Sequence, residues 1–430
     1  MIFDKEAHKK RMEWFNTARF GMFIHWGIYA IPSRGEWHRG TAKVKTDDYM
    51  KYFNEFDPVE YDPASWAKTA KEAGMKYAVF TAKHHDGFCM FDSKLTDFKA
   101  TNTPAGRDLL KEYIDAFRAE GLRVGIYYSV IDWNHPHYPH YEDSLHPRRG
   151  DEDYRDYKYD FDKYIEYMHG QVKEICSNYG TIDILWFDFS YGDMQGEAWK
   201  ATELIKMVRE LQPDVIIDNR LEGTSESSLL TGEPNYYSGD FISPEQLLPP
   251  VGFFDKNGNN LPWEACITMN DNWGYCSRDK NYKSAELMIK KLVECVSKGG
   301  NMLLNVGPDA KGNIPDESLR RLADIGKWMC KNSACIYDCG HADIPKPEWG
   351  RVTRNGNKLF FYITEECIGL IPILGISVDK IDKVRQLSDG SELLMVNDWR
   401  TQHYKDVVFI DMGNNHSFPY TNEVIEVTLK

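Results

Sequence analysis

The chain has 430 residues, 42% of them hydrophobic, which is too much for one small domain and suits a barrel of about 250 residues with a smaller appendage. A net charge of −14 argues against nucleic acid and anionic membranes as partners, because their phosphates would be repelled. No run approaches the roughly 18 apolar residues of a membrane span, and Met1-Ile2-Phe3-Asp4-Lys5-Glu6 is not an apolar signal region, so a cytoplasmic location is expected.

Residues 1–19 are charged and helical in character. A first strand, Phe20 to Ile24, ends in His25-Trp26-Gly27, and a loop carrying Ser33-Arg34-Gly35-Glu36-Trp37-His38 follows. Ser65 to Ala73 reads as a helix stopped by Gly74. A second strand begins at Tyr77 and runs into Lys83-His84-His85-Asp86-Gly87. Asp108 to Glu120 is an amphipathic helix closed by Gly121. The third strand is Arg123 to Ser129. A His-, Pro- and Tyr-rich loop leads to a long helix, Tyr154 to Tyr179. The fourth strand, Ile184-Leu185-Trp186-Phe187-Asp188, is an apolar run tipped by a carboxylate. A helix from Ala198 to Leu211 and a fifth strand, Val215 to Arg220, come next. Residues 223–260 form a long polar stretch, and a loop of that length in a compact domain is usually functional. Strands at Ala265–Met269 and Met302–Gly307 flank a helix from Ser284 to Ser297, and a helix from Glu317 to Lys331 closes the alternation.

Alternating β and α segments from about 20 to 335 predict a parallel barrel or an open doubly wound sheet. No G-x-G-x-x-G follows a strand, so the dinucleotide-binding form lacks support. Beyond about 345 the texture changes to short β-type runs (Phe360–Thr364, Gly369–Leu374, Lys383–Leu387, Asp406–Ile410, Val424–Leu429) between turns, which predicts an antiparallel β-sandwich. The expected division is therefore a (β/α)8-like barrel over 1–340 and a sandwich over 345–430.

In such a barrel the strand C-termini line the active site. Acids, histidines and aromatics collected there suit an enzyme acting on a polar, ring-shaped substrate. Two carboxylates suffice to hydrolyse a glycosidic bond, one as nucleophile and one as acid. Asp188 is the best candidate nucleophile, although a strand-end Asp can simply cap a turn. For the acid, Glu222, Glu226, Glu233, Glu245 and Glu264 all qualify, and position alone does not choose. His25, His84 and His85 suit sugar hydroxyls better than a metal, since the i, i+4 spacing of a helical zinc site is absent. His135, His137, His140 and His146 read as surface histidines of one loop. Glu36-Trp37 joins a hydroxyl acceptor to a flat apolar face, and Arg220 can hold a hydroxyl or orient a carboxylate. The nine cysteines are scattered. Cys330, Cys335 and Cys339 lack paired C-x-x-C spacing and read as buried free thiols.

The chain resembles the α-L-fucosidases of glycoside hydrolase family 29 over roughly residues 12–335. The matching text is Phe20-Gly21-Met22-Phe23-Ile24-His25-Trp26-Gly27, Glu36-Trp37, Lys83-His84-His85-Asp86-Gly87-Phe88, Tyr127-Tyr128-Ser129 with Asp132-Trp133, Leu185-Trp186-Phe187-Asp188, Gly239-Asp240-Phe241-Ile242-Ser243-Pro244-Glu245, Trp263-Glu264, Trp273-Gly274-Tyr275, and the run from Lys298 to Pro308. The resemblance implies a retaining exo-α-L-fucosidase with Asp188 as nucleophile and Glu245 as acid/base, Glu233 being the nearby alternative. It implies that His25, Glu36, Trp37, His84, His85, Tyr127 and Arg220 hold fucose, with Phe23, Trp186 and Trp273 around its methyl group. It implies no cofactor and no metal. The implied partner is a fucosylated oligosaccharide or glycoside, and a homo-oligomer is compatible with it. His38 and Phe189 stand where the family often has Tyr and Gly, and both bear on substrate range. An exo-glycosidase for a related sugar such as L-galactose, and an inactive fucose-binding barrel, are the alternatives.

Overall fold

The apolar runs become parallel strands because each is buried on two faces, one filling a barrel and one packing on helices. In the computed structural model, which describes residues 3–223, 227–413 and 421–430, these are β1 (Phe20–Ile24), β2 (Tyr77–Lys83), β3 (Arg123–Ser129), β4 (Ile184–Asp188) and β5 (Ile216–Ile217). A two-stranded hairpin, β6 (Phe253–Phe254) and β7 (Asn260–Leu261), comes next, followed by β8 (Glu264–Thr268) and β9 (Asn301–Val306). The main sheet has seven strands in the order β5-β4-β3-β2-β1-β9-β8 and curls into a TIM-like half-barrel. Phe23, Val79, Tyr127, Trp186 and Leu303 meet inside it. Met12 and Phe15, from the helix Lys5–Ala18, join them at the end where β2 starts.

Two departures from the sequence expectation matter for the site. The first is that β5 has two residues rather than six. Beyond Ile217 the fully buried Asp218 accepts the Phe187 N–H at 3.0 Å, so a side chain supplies the acceptor that a longer β5 would have offered β4. The second is the eighth place in the barrel, between β5 and β8, which a single irregular segment fills. Residues 241–245 run there, tied by isolated bridges from Asp218 to Phe241, Ile242 to Trp263 and Glu245 to Cys266.

The long loop is also not structureless. It holds a 3-10 turn, Ser228–Thr231, and the β6–β7 hairpin. Glu222 fastens the turn by accepting from Ser228 N at 2.8 Å and Asn235 Nδ2 at 2.6 Å. The helix expected from Tyr154 begins at Phe161, after a separate 3-10 turn at Glu152–Tyr154.

The C-terminal strands are β10 (Gly350–Asn355), β11 (Lys358–Ile363), β12 (Ile371–Leu374), β13 (Ile381–Gln386), β14 (Leu394–Val396), β15 (Val407–Asp411) and β16 (Val424–Leu429). They form antiparallel sheets in the orders β10-β11-β16-β13 and β12-β15-β14. Their inward residues, among them Phe361, Ile373, Val408, Ile410, Ile425 and Val427, make a core separate from that of the barrel. Strands β10 and β14 are unannounced in the sequence. The first alternates Arg with small residues, and the second lies largely exposed at a sheet edge. Arg351 reaches Glu294 at 2.8 Å, and Trp328 Nε1 donates to Asn422 O at 2.9 Å, joining these sheets to the barrel.

Candidate active site

Strand tips and the loops that follow them bring one cluster together. Phe23, His25, Trp37, His84, His85, Tyr127, Trp186, Asp188, Arg220, Glu245 and Trp273 all line a cavity of about 30 Å³; Glu36 is buried next to the lining residue Trp37 in sequence but is not part of that lining. Asp188 ends β4. Its Oδ2 accepts from Tyr127 Oη at 2.7 Å and its Oδ1 from Arg220 Nη1 at 2.7 Å. Burial pushes the Asp188 carboxyl up from the ordinary Asp range. Arg220 opposes that shift, and the nearby Glu245 charge adds to it.

Arg220 is itself held. Its Nε donates to Ser243 Oγ at 3.1 Å, its Nη2 to Ser243 O at 3.2 Å, and its guanidinium lies 4.4 Å from the Trp186 ring centroid. The same Nη1 that binds Asp188 also donates to Glu245 Oε2 at 2.9 Å. Glu245 stands at the mouth, its side chain 43% exposed against 10% for Asp188.

His25 and His85 are fixed as neutral acceptors. Asn305 Nδ2 donates to Trp273 O at 2.7 Å, which turns Asn305 Oδ1 toward His25 Nδ1, also at 2.7 Å. His25 therefore carries its proton on Nδ1 and keeps a lone pair on Nε2. Burial lowers its pKa to about 3. His85 follows the same logic. Ser129 Oγ donates to Ile131 O at 3.0 Å and so accepts from His85 Nδ1 at 2.7 Å. Burial holds His84 and His85 well below the ordinary histidine range. His84 Nδ1 is buried without a hydrogen-bond partner among the described residues, a polar atom a ligand hydroxyl can satisfy. Glu36 accepts Gly274 N–H at 2.7 Å, and burial pushes its pKa up to about 7.

Aromatic rings close the remaining sides. Phe23 meets Trp186 at 5.3 Å and Trp273 at 5.8 Å, and Tyr127 stacks on Trp186 at 5.7 Å. Trp37 packs on Phe189 at 5.2 Å. Phe189 adopts φ +81°, a region that suits glycine, and its ring also lies 4.5 Å from His85.

The other acids separate by position. Glu264 is fully buried beneath the cavity, where Tyr77 Oη donates to it, so it has no path to a leaving group. Glu222 is spent on the loop turn. Glu233 pairs with Lys256, its side chain 78% exposed. Glu226 lies outside the described residues.

The histidine-rich loop corrects the reading of surface histidines. His140 and His146 are buried, bonded to Tyr138 O at 2.6 Å and Trp133 O at 3.2 Å, and they shape the loop from within. Of the clustered cysteines, Cys335 and Cys339 are buried free thiols whereas Cys330 is exposed. Sequence reasoning missed Cys266 in the wall and the three positioners Ser129, Ser243 and Asn305. Asn305 carried a usable signal, being polar within the apolar run of β9. Ser129 and Ser243 carried none, since a strand-end serine is commonplace.

The family model described as alpha-L-fucosidase matches residues 3–334. The chain belongs to the α-L-fucosidase family. Among fucosidases of the family, human plasma alpha-L-fucosidase is 30% identical over 348 residues, covering 76% of this chain and 69% of that one. Alpha-L-fucosidase of Dictyostelium discoideum is 29% identical, covering 75% and 71%. Of solved structures, alpha-L-fucosidase isoenzyme 1 from Paenibacillus thiaminolyticus is 57% identical with a TM-score of 0.95, covering 99% of this chain and 100% of that one. A fucosidase of family 29 from Bacteroides thetaiotaomicron, described as a trapped covalent intermediate in complex with 2-fluoro-fucosyl fluoride, is 30% identical with a TM-score of 0.84, covering 98% and 96%.

Proposed function

We propose that this protein is a retaining exo-α-L-fucosidase that removes terminal α-L-fucosyl residues from glycans or glycosides, with Asp188 as nucleophile and Glu245 as acid/base. The bridge made by Arg220 carries the reading. One nitrogen reaches Asp188 Oδ1 at 2.7 Å and Glu245 Oε2 at 2.9 Å, so those oxygens lie at most 5.6 Å apart, the sum of the two contacts. Retaining enzymes hold their carboxyl groups about 5–5.5 Å apart, and inverting ones about 6.5–9.5 Å, to admit a water.

In the first step the Asp188 carboxylate attacks the anomeric carbon. The glycosidic bond breaks, and Glu245 gives its proton to the departing oxygen. In the second step Glu245 takes a proton from water, the water oxygen bonds to the anomeric carbon, and the Asp188 ester bond breaks. Arg220 favours the ionised form of Asp188 against its burial. The lone pairs of His25 and His85, the open Nδ1 of His84 and the Glu36 carboxyl converge from separate elements, which suits the three hydroxyls of one pyranose. The wall of Phe23, Trp186 and Trp273 suits the methyl group of fucose better than the hydroxymethyl of L-galactose, although an apolar pocket rejects one added hydroxyl only modestly. Glu264 and Tyr77, buried beneath the cavity, close it at that end, which suits a terminal rather than an internal sugar.

The test is the stereochemistry of turnover. Proton NMR of the first-formed sugar, recorded before mutarotation, is expected to show α-L-fucose. Initial release of β-L-fucose would overturn the double displacement.

A further inference from the structure

We propose that the groove beside Glu245, walled by Leu230, Leu247 and Phe253, is the subsite for the leaving group and selects aglycones with an apolar aryl or alkyl face. The inference rests on the fucosidase reading. The sugar cavity of about 30 Å³ and this groove of about 360 Å³ have only Arg220 and Glu245 in common. An acid must stand at the glycosidic oxygen. Whatever hangs from that oxygen therefore lies beyond the Glu245 carboxylate, which is where the groove begins.

Its walls are apolar and preformed. Leu247 is 61% exposed and Leu230 36%, in a loop otherwise rich in polar residues. Lys256 N donates to Leu230 O at 3.1 Å, fastening the β6–β7 hairpin to the 3-10 turn, and the Phe253 ring rests on Trp263 at 6.0 Å. Several polar atoms on the floor are already engaged. Asn219 Oδ1 accepts from Ser243 N at 3.0 Å and from Ser243 Oγ at 2.9 Å, and Ser227 Oγ accepts from Leu229 N at 3.3 Å. Among the described residues those atoms are spent on the protein's own contacts, whereas an aryl or alkyl group on the Leu230, Leu247 and Phe253 walls gains by leaving water.

The test compares two activated substrates of the full-length protein, 4-nitrophenyl α-L-fucoside and α-L-fucosyl fluoride. Both need little acid assistance, but only the first brings an apolar aglycone. In Leu230→Ser/Leu247→Ser the ratio of kcat/KM for the aryl fucoside to that for the fluoride is expected to fall about tenfold from the parent value. Leu247→Ser alone, at the more exposed position, is expected to move the ratio in the same direction and serves if the double variant does not fold. A ratio within twofold of the parent in a folded variant would overturn the groove assignment. Release of fucose from neither substrate by the parent protein would instead overturn the fucosidase reading.

Discussion

As the proposed nucleophile Asp188 must be ionised to attack, yet burial works against its charge, and Arg220 is the group that most opposes this. Replacing Arg220 with Met removes the cation and leaves both burial and the Glu245 charge pushing the Asp188 carboxyl up. The carboxyl then gives up its proton only at higher pH, so the acid limb of kcat/KM is expected to move upward by about one pH unit or more, measured as a pH–rate profile with an aryl fucoside. An unmoved limb would detach Arg220 from the ionisation of Asp188. Glu245 differs from Asp188 by being half open to solvent at the mouth, where a proton must be delivered and recovered. Loss of an acid matters most when the leaving group is poor. Glu245→Ala is therefore expected to retain far more activity on an activated aryl fucoside than on a natural oligosaccharide, and azide, attacking the β-linked fucosyl-enzyme from the face that water would use, should accelerate it and yield α-fucosyl azide. Glu233→Ala, which only breaks the pair with Lys256, should do neither, and azide rescue at position 233 alone would reassign the acid.

Elements fix these residues with unequal rigidity. His25, His84 and Asp188 end or follow laddered strands deep in the sheet, whereas Glu245 sits on a segment held by single bridges. Gly239 starts that segment at φ +79°, and a Cβ there would lie 2.1 Å from Asp218 O. Gly239→Ala combines an unfavourable backbone region with a clash against main chain. A loss of about 2–4 kcal/mol in urea unfolding is expected, with activity on poor leaving groups falling further as Glu245 is displaced. Strands β1 to β4 were legible in the sequence because burial on two faces makes each a mainly apolar run, and their polar tips announced the site. Strand β5 read too long because Ile216-Ile217-Asp218-Asn219-Arg220 does not reveal that Asp218 would turn inward to serve Phe187. The order within residues 223–260 was hidden for a related reason. It rests on side chains such as Glu222 capping main chain several residues away, which leaves no periodic trace. The choice of Glu245 came from the family's text rather than from spacing. The burial of Glu264 and the use of Glu222 then removed two rivals on physical grounds.

At the scale of the molecule, buried ionisable groups set the pH range of stability. Burial raises Glu264 to about 8 and Glu36 to about 7, from an ordinary value of 4.5. Each keeps a proton in the native state that the unfolded chain releases above pH 4.5. Their stabilisation is therefore complete below that pH and is lost as pH rises through the folded values. His25, lowered from 6.5 to about 3, acts in the opposite direction and costs stability as pH falls below 6.5. One such proton changes stability by up to about 1.4 kcal/mol per pH unit. Glu264→Gln is expected to flatten the decline in urea stability between pH 5 and 8, and an unchanged slope would show that the proton resides elsewhere. The irregular filling of the barrel's eighth place has a consequence for how such a protein diversifies. The proposed nucleophile is part of the architecture: moving Asp188 means moving β4, and with it the core. The proposed proton donor belongs to the irregular segment that fills that place, so insertions and deletions there can reposition Glu245 and recut the groove beside it while the sheet stays intact. One half of the catalytic pair is thus inherited with the fold, and the other is free to be re-fitted to each new leaving group.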